Sequence, residues 1–272
     1  MIMANPDVGP GDDPVLLSVD DGLATIVLNR PDSANAMDLP LLTALHQALL
    51  HCHATAAVRV VVLRGAGRNF CAGGDVRDFL AHADHLPSHI KEVSSWFQAV
   101  TSAMLALDVP IIAQVHGYAA GGGGLGLVCS SDFVIACESA KFMSGAVRVG
   151  MIPDGGTTAI LSHLVGLRKA AEIMMTNQTL DAEEALRIGL ITGVAPDGDL
   201  STAVLALAHD LATSAPLALA ECKRLMWDGL GSPVVQALPG EARAVVRLSA
   251  TRDCREGLSA VVERRRPDFC GT

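Results

Sequence analysis

Apolar and polar positions alternate from Val15 to Asn29 on both sides of Asp20-Asp21-Gly22, a pattern that predicts a β-hairpin whose glycine supplies the positive φ of the turn, with Thr25 to Leu28 as the second strand. Helical spacing follows from Leu39 to Cys52, with Asp38 placed as the N-cap and Pro40 in the first turn. Val58 to Leu63 is a continuous apolar run of strand length that ends at Gly65-Ala66-Gly67, which predicts a strand buried on both faces. The middle of the chain repeats the scheme: a helix from Ser88 to Leu107, a strand from Ile111 to Val115, a glycine-rich turn with a short helix, and a strand from Phe133 to Ala136. Strands alternating with helices predict a largely parallel α/β arrangement. Beyond Thr157 the pattern is helical almost throughout. Asp181-Ala-Glu-Glu184 reads as a capping box opening a helix through Arg187, with Gly189 to stop it. Leu200 to Ala212, Pro216 to Trp227, Val234 to Ala250 and Asp253 to Arg265 read as amphipathic helices. The division is a flexible N-terminal tail at 1–14, an α/β core at 15–197 and a C-terminal helical region at 198–272.

Composition narrows the classes. Half of the 272 residues are apolar, enough buried surface to offset the entropy of ordering, so the chain is expected to fold. Twenty Lys and Arg against 29 Asp and Glu leave a formal charge of -9, which argues against nucleic acid or an anionic membrane surface as partner; any anionic ligand must meet local cations. The seven cysteines (52, 71, 129, 137, 222, 254, 270) are odd in number and form no C-x-x-C pair, so neither a disulfide framework nor a zinc knuckle is expected. Asp108, Pro110, Gln114 and His116 interrupt the most apolar stretch, and the first residues lack a basic segment followed by an apolar one. The expectation is a cytoplasmic protein without a membrane span.

Two glycine turns carry the candidate chemistry. Gly121-Gly-Gly-Gly-Leu-Gly126 matches G-x-G-x-x-G after a strand, with Glu138 further on, which is one way to bind a dinucleotide. The other use of the same geometry is a helix N-terminus whose side-chain-free amides point at an oxygen that becomes negative. A second such turn, Gly65-Ala-Gly-Arg-Asn-Phe-Cys-Ala-Gly-Gly-Asp75, runs from a strand into a helix start at Asp75. One backbone N–H from each turn on a single carbonyl oxygen would make an oxyanion hole.

At these residues the chain resembles the enoyl-CoA hydratase/isomerase (crotonase) superfamily. The resemblance rests on five stretches in the family's order: 28–36 (LNRPDSANA), 64–75 (RGAGRNFCAGGD), 115–124 (VHGYAAGGGG), 150–156 (GMIPDGG) and 256–260 (EGLSA). It implies the crotonase (ClpP-like) fold, a spiral of ββα units with a C-terminal helical trimerisation region, and a homotrimer or a dimer of trimers. It also implies an acyl-CoA thioester as substrate, with CoA part of that substrate and no separate cofactor or metal. The family's first oxyanion donor maps to Gly74. The second maps to Gly122 counting forward from His116 and to Gly123 counting back from Asp132, since the turn carries one extra residue; the register set by the following helix and strand favours Gly123.

The departures from the family pattern bear on the reaction. Where the resembling hydratases have two glutamates, this chain has Leu125 or Gly126 at the first position and Ala146 at the second, none able to move a proton. Asp154, in Ile152-Pro-Asp-Gly-Gly156, remains. Its spacing alone suits a turn aspartate or a helix N-cap for Thr157 onward. By resemblance to double-bond isomerases of the superfamily it is a catalytic base, serving an isomerisation through an oxyanion-stabilised enolate. A hydratase with carboxylates at other positions and a non-catalytic acyl-CoA binder are the alternatives. For CoA, the resemblance implies Arg30, Arg68, Arg77 and Arg264 near the phosphates, and Ala72, Gly74, Asp75 and Val76 along the adenine and pantetheine path. Phe79 to Val93 is expected to shape the acyl pocket, while Met174-Met175 and Trp96-Phe97 are expected in the core or the pocket lining. Cys71 reads as a packed small residue. His82, His85 and His89 share one helical face, and together with His51-Cys52-His53 they read as exposed polar helix surface with no carboxylate at metal-ligand spacing.

Overall fold

The computed structural model describes residues 13–272, so nearly all of the expected tail at 1–14 lies outside the described residues. β1 (Val15–Asp20) and β2 (Leu23–Leu28) form the hairpin, with Val15 opposite Leu28 and Asp20 opposite Leu23. Its turn places both Asp21 (φ 44°) and Gly22 (φ 79°) in the left-handed region, not the glycine alone. A two-residue turn of this hand matches the twist of the strands, and aspartate is among the few side chains that tolerate the conformation. α1 (Leu39–Ala54) starts as expected, Asp38 accepting the Leu41 N–H at 2.9 Å, and buries Leu41, Leu42, Leu45 and Leu49.

β3 (Val60–Gly65) runs parallel to β2 with its valines buried. α2 (Val76–Ala81) and α3 (Leu86–Ala106) are separated by a 3-10 turn at Ala83–His85. Then come β4 (Ile111–Val115), β5 (Tyr118–Ala120), α4 (Gly121–Cys129), β6 (Phe133–Cys137) and β7 (Lys141–Met143). α5 (Thr157–Val165), α6 (Leu167–Thr176), β8 (Leu180–Asp181), α7 (Ala182–Arg187) and β9 (Gly193–Ala195) complete the alternating part. Asp181 caps α7 through the Glu184 N–H at 2.8 Å, but Glu184 does not return the bond: its carboxylate pairs with Arg187 and Lys169.

The main sheet has the order β1-β2-β3-β4-β6-β9, parallel except for the opening hairpin. A smaller sheet, β5-β7-β8, stands beside it, extended by single bridges between Met37 and Gly74 and between Cys71 and Ala119. Those bridges carry the second sheet to both glycine turns. Its strands of two or three residues are too short to leave a periodicity, and no part of the sequence pattern predicts them.

Four helices close the chain: α8 (Leu200–Ala212), α9 (Pro216–Asp228), α10 (Val234–Ser249) and α11 (Arg252–Glu263). α8 buries Leu200, Val204 and Ala208 in the same core as the sheet. α9 is latched to the residue before β6: Lys223 Nζ lies 2.8 Å from Asp132 Oδ2, and Trp227 Nε1 donates to Asp132 Oδ1 at 2.9 Å. Among the described residues no single helix is long and apolar enough to cross a membrane; α8 and α9 reach that length only as a pair bent by 106°.

Candidate active site

Two side chains fasten the segment after β2 to the segment after β3. Asn35, fully buried with φ 55°, donates from Nδ2 to the carbonyls of Ala66 (2.9 Å) and Asn69 (2.8 Å) and accepts the Arg30 N–H at Oδ1 (2.9 Å). The Arg30 guanidinium bonds the Ala36 carbonyl and pairs with Asp38 at 2.9 Å and Asp75 at 3.0 Å. Asp75 is buried, and its other oxygen caps α2 by accepting the Arg77 and Asp78 N–H groups at 3.0 and 3.3 Å. Arg30 and Asp75 therefore hold the turn in shape; neither lines the cavity described below.

The bridge between Met37 and Gly74 uses the Gly73 carbonyl (2.7 Å from Met37 N) and the Asp75 N–H (2.9 Å to Met37 O). This alternation leaves the Gly74 N–H without a backbone acceptor among the described residues. On the other side, α4 begins at Gly121 with no side-chain cap on Ala120, so the N–H groups of Gly121, Gly122 and Gly123 have no partner within the helix. The two turns touch: a Cβ on Gly73 would stand 2.7 Å from Gly121 Cα, and one on Gly124 would stand 2.3 Å from the Cys71 carbonyl oxygen. Only glycine admits this approach. Gly74, Gly121, Gly122 and Gly123 all line one cavity of about 750 Å³.

Asp154 lines the same cavity. Its side chain is not a helix cap. The N-cap of α5 is Gly156, with φ 83° and no side-chain bond, and the part of Asp154 that serves α5 is its carbonyl, which accepts from Thr157 N (3.1 Å) and Oγ1 (2.7 Å). The carboxylate is left to face the glycines, with Oδ1 3.5 Å from the place a Cβ on Gly122 would occupy. Burial pushes this carboxyl above its ordinary 3.8, and a hydrogen bond from the Ser94 side chain holds it partly down. Leu125 is buried in the core, and the space beside Gly126 is filled by Phe97 and Thr157, each 2.7 Å from a Cβ placed there. Ala146 lines the cavity. Among the described lining residues Asp154 is the one acid and Arg148 the one base, and Arg148 donates to the Asn177 carbonyl at 3.3 Å.

The remaining expected residues divide. Ala72 and Val76 line the cavity, as do Phe79, Ile90 and Val93 from the segment expected to shape the acyl pocket. Phe97 lines it from the buried side, Trp96 and Met174 pack against the core, and Met175 is 73% exposed, so it belongs to neither the core nor the pocket. Arg68 and Arg77 are exposed beside the first turn and in α2. Arg264 is the left-handed C-cap of α11, exposed and outside the cavity. Its neighbour Arg265 is held by Glu256 and Glu263, whereas no ion pair engages Arg264 among the described residues. Cys71 is a buried thiol pushed up to about 12 by burial, in line with a packing role. Nothing in the sequence singles out Ser94, because a serine within a helix and next to a second one carries no pattern.

The histidines depart from expectation. His82 follows α2, His89 lies in α3, and the two do not share one helix face. His89 is buried, with Nε2 2.6 Å from Asp78 Oδ2, and its ring stacks on His82 at 3.9 Å. A carboxylate is therefore coupled to this cluster, and Asp78 is the residue that sequence spacing missed.

Comparisons with known proteins agree with the geometry. The family model for enoyl-CoA hydratase/isomerase matches residues 18–272. A Rhodobacter capsulatus protein named "Probable enoyl-CoA hydratase" is 36% identical over 253 residues, covering 93% of this chain and 96% of the relative. The crotonyl-CoA hydratase of Syntrophomonas wolfei is 31% identical over 257 residues, covering 94% and 97%. Among solved structures, the enoyl-CoA hydratase of Bacillus anthracis superposes with a TM-score of 0.90 at 31% identity, covering 95% of this chain and all of that one. That of Polaromonas sp. JS666 gives 0.90 at 28%, covering 94% and 99%. A match spanning nearly the whole chain, on a mixed α/β body with a helical C-terminal region, makes this protein a crotonase-fold member of the enoyl-CoA hydratase/isomerase family, which acts on acyl-CoA thioesters.

Proposed function

We propose that the chain isomerises a double bond in an acyl-CoA thioester, with Asp154 as the single proton carrier. The observation that carries this reading is that Asp154, the one carboxylate among the described lining residues of the cavity, stands beside the α4 amides that have no partner within the helix. In the proposed step Asp154 removes a proton from the carbon next to the thioester of a 3-enoyl substrate. The electron pair moves onto the thioester oxygen, where N–H groups of Gly74 and of Gly123 or Gly122 stabilise the dienolate. The same carboxyl returns the proton to the far end of the conjugated system, giving the 2-enoyl thioester. One carboxylate suffices, because the proton that leaves is the proton that returns. A raised pKa suits both halves of the cycle, since the group must accept and then release the proton.

CoA enters as part of the substrate, with no separate cofactor. Arg264, Arg77 and Arg68 are the proposed phosphate contacts, since Arg30 is engaged internally. The proposed assembly is a trimer or a pair of trimers, supported by the outward apolar side chains of α10 and α11.

The relatives' names favour hydration as a second reading. Against it stand Ala146 and Gly126, which leave no second group to orient a water. Absorbance of the conjugated thioester separates the readings. With 3-enoyl-CoA the isomerase makes that absorbance rise, and with 2-enoyl-CoA it does not fall through water addition. Rapid loss with 2-enoyl-CoA and no rise with 3-enoyl-CoA selects hydration; saturable binding with neither change selects a non-catalytic binder.

A further inference from the structure

Asp78, His82 and His89 each offer a ligand atom, and the three atoms lie within 4.8 Å of one another. We propose that they form a binding site for a divalent transition metal of the zinc type, separate from the acyl-CoA cavity and tying α2 to α3. Two imidazoles and one carboxylate are a donor set that zinc and cobalt(II) accept. The site is partly built into the body of the protein: His89 is 7% exposed, its ring edge-on to Phe79 (centroids 6.2 Å apart) and flat against His82. Asp78 Oδ2 and His89 Nε2 stand 2.6 Å apart, the separation of two atoms sharing a proton. Ligand bonds of about 2.0–2.1 Å around a tetrahedral ion set neighbouring ligand atoms ~3.3 Å apart, so replacing that proton by a metal opens the pair by less than ~1 Å.

His82 Nδ1 lies 2.8 Å from the Asp78 carbonyl and 3.4 Å from Asp78 Oδ1; because a metal lies in the plane of each ring it binds, the His82 ring swings out of its stack on His89 to complete the trio. Beside it a cleft of about 390 Å³ is lined by His85 and Glu92. Glu92 lines the same cleft one helical turn after His89, on the open side of the trio where a water supplies the fourth ligand. Asp78 belongs to α2 and His89 to α3, so the metal would clamp the two helices across the 3-10 turn between them. Phe79 lines the acyl-CoA cavity and would stand 2.7 Å from a Cβ on Gly74, so the clamp fixes one wall of that cavity from behind.

The test reads metal directly and does not depend on the reaction proposed above. Protein stripped with a chelator is titrated with cobalt(II), following its visible d–d absorption, and then with zinc. The expected result is one cobalt per chain with an intense band of low coordination number, abolished by stoichiometric zinc. His82→Ala and Asp78→Asn alter half-exposed groups, and their retained fold is checked by circular dichroism. Since losing even an outer-shell partner costs about 10–100-fold in metal affinity, each is expected to weaken binding by at least ~10-fold. A His51→Ala/His53→Ala double variant is expected to bind as the unaltered chain does. No band at stoichiometric cobalt, unchanged affinity in both cluster variants, or loss in the His51/His53 variant alone overturns the proposal.

Discussion

In the proposed reaction the proton chemistry rests on Asp154 and on Ser94 beside it. Desolvation raises the Asp154 carboxyl, and the Ser94 bond stabilises its ionised form and so opposes the rise. As the proposed base, Asp154 would work only when ionised, so the rate is expected to fall on the acid side as pH drops through its raised pKa. Ser94→Ala removes the opposing bond, and the acid limb of kcat/KM is expected to move to higher pH. On that limb the variant loses roughly two- to tenfold, the worth of one hydrogen bond, and at higher pH it approaches the unaltered rate. A uniform loss across the pH range would instead make Ser94 a packing residue. Asp154 was legible because a carboxylate between Pro153 and two glycines belongs to a recognisable motif. Ser94 was not: it neighbours Ser95, whose hydroxyl merely returns to the Lys91 carbonyl at 2.7 Å, and no spacing tells the two apart.

Among elements, those written by local chemistry were readable and those written by tertiary approach were not. Asp38, Asp75 and Asp181 each sit where a helix begins, and each accepts an N–H from the first turn as capping requires. β5, β7 and β8 are held by neighbours more than by their own sequence, which is why they left no pattern. The histidine cluster departs from its spacing for a related reason: helical spacing assumes one continuous helix, and the 3-10 turn at Ala83–His85 breaks it. α10 and α11 carry the opposite message. Val246, Val261 and Val262 are 71%, 78% and 83% exposed, an apolar face of a kind that marks an interface with another chain. Sedimentation equilibrium is expected to give three or six times the 28.2 kDa chain mass, and the bare chain mass at micromolar concentration would contradict the proposed assembly.

For the whole molecule, the arrangement brings the turn after β3, at Gly73, against the start of α4 at Gly121, although the two are far apart in the chain. Asn35 and Arg30 fix the first turn, the small sheet carries the second, and glycines at Gly73, Gly121 and Gly124 permit contact. The sequence showed two glycine turns, each after a strand, and the family resemblance said that they meet. What it could not show is the mutual distance, because that depends on the bridges of Met37 and Cys71. The same close approach leaves a cavity in which, among the described lining residues, one acid faces helix-start amides that have no partner within the helix, and the account stands on that pairing. Asp154→Asn tests it most directly, with 3-enoyl-CoA turnover and acyl-CoA affinity measured on the same purified protein. The account predicts isomerisation reduced by at least ~10²-fold, the worth of a general base, with acyl-CoA affinity retained. Turnover equal to that of the unaltered chain would contradict it.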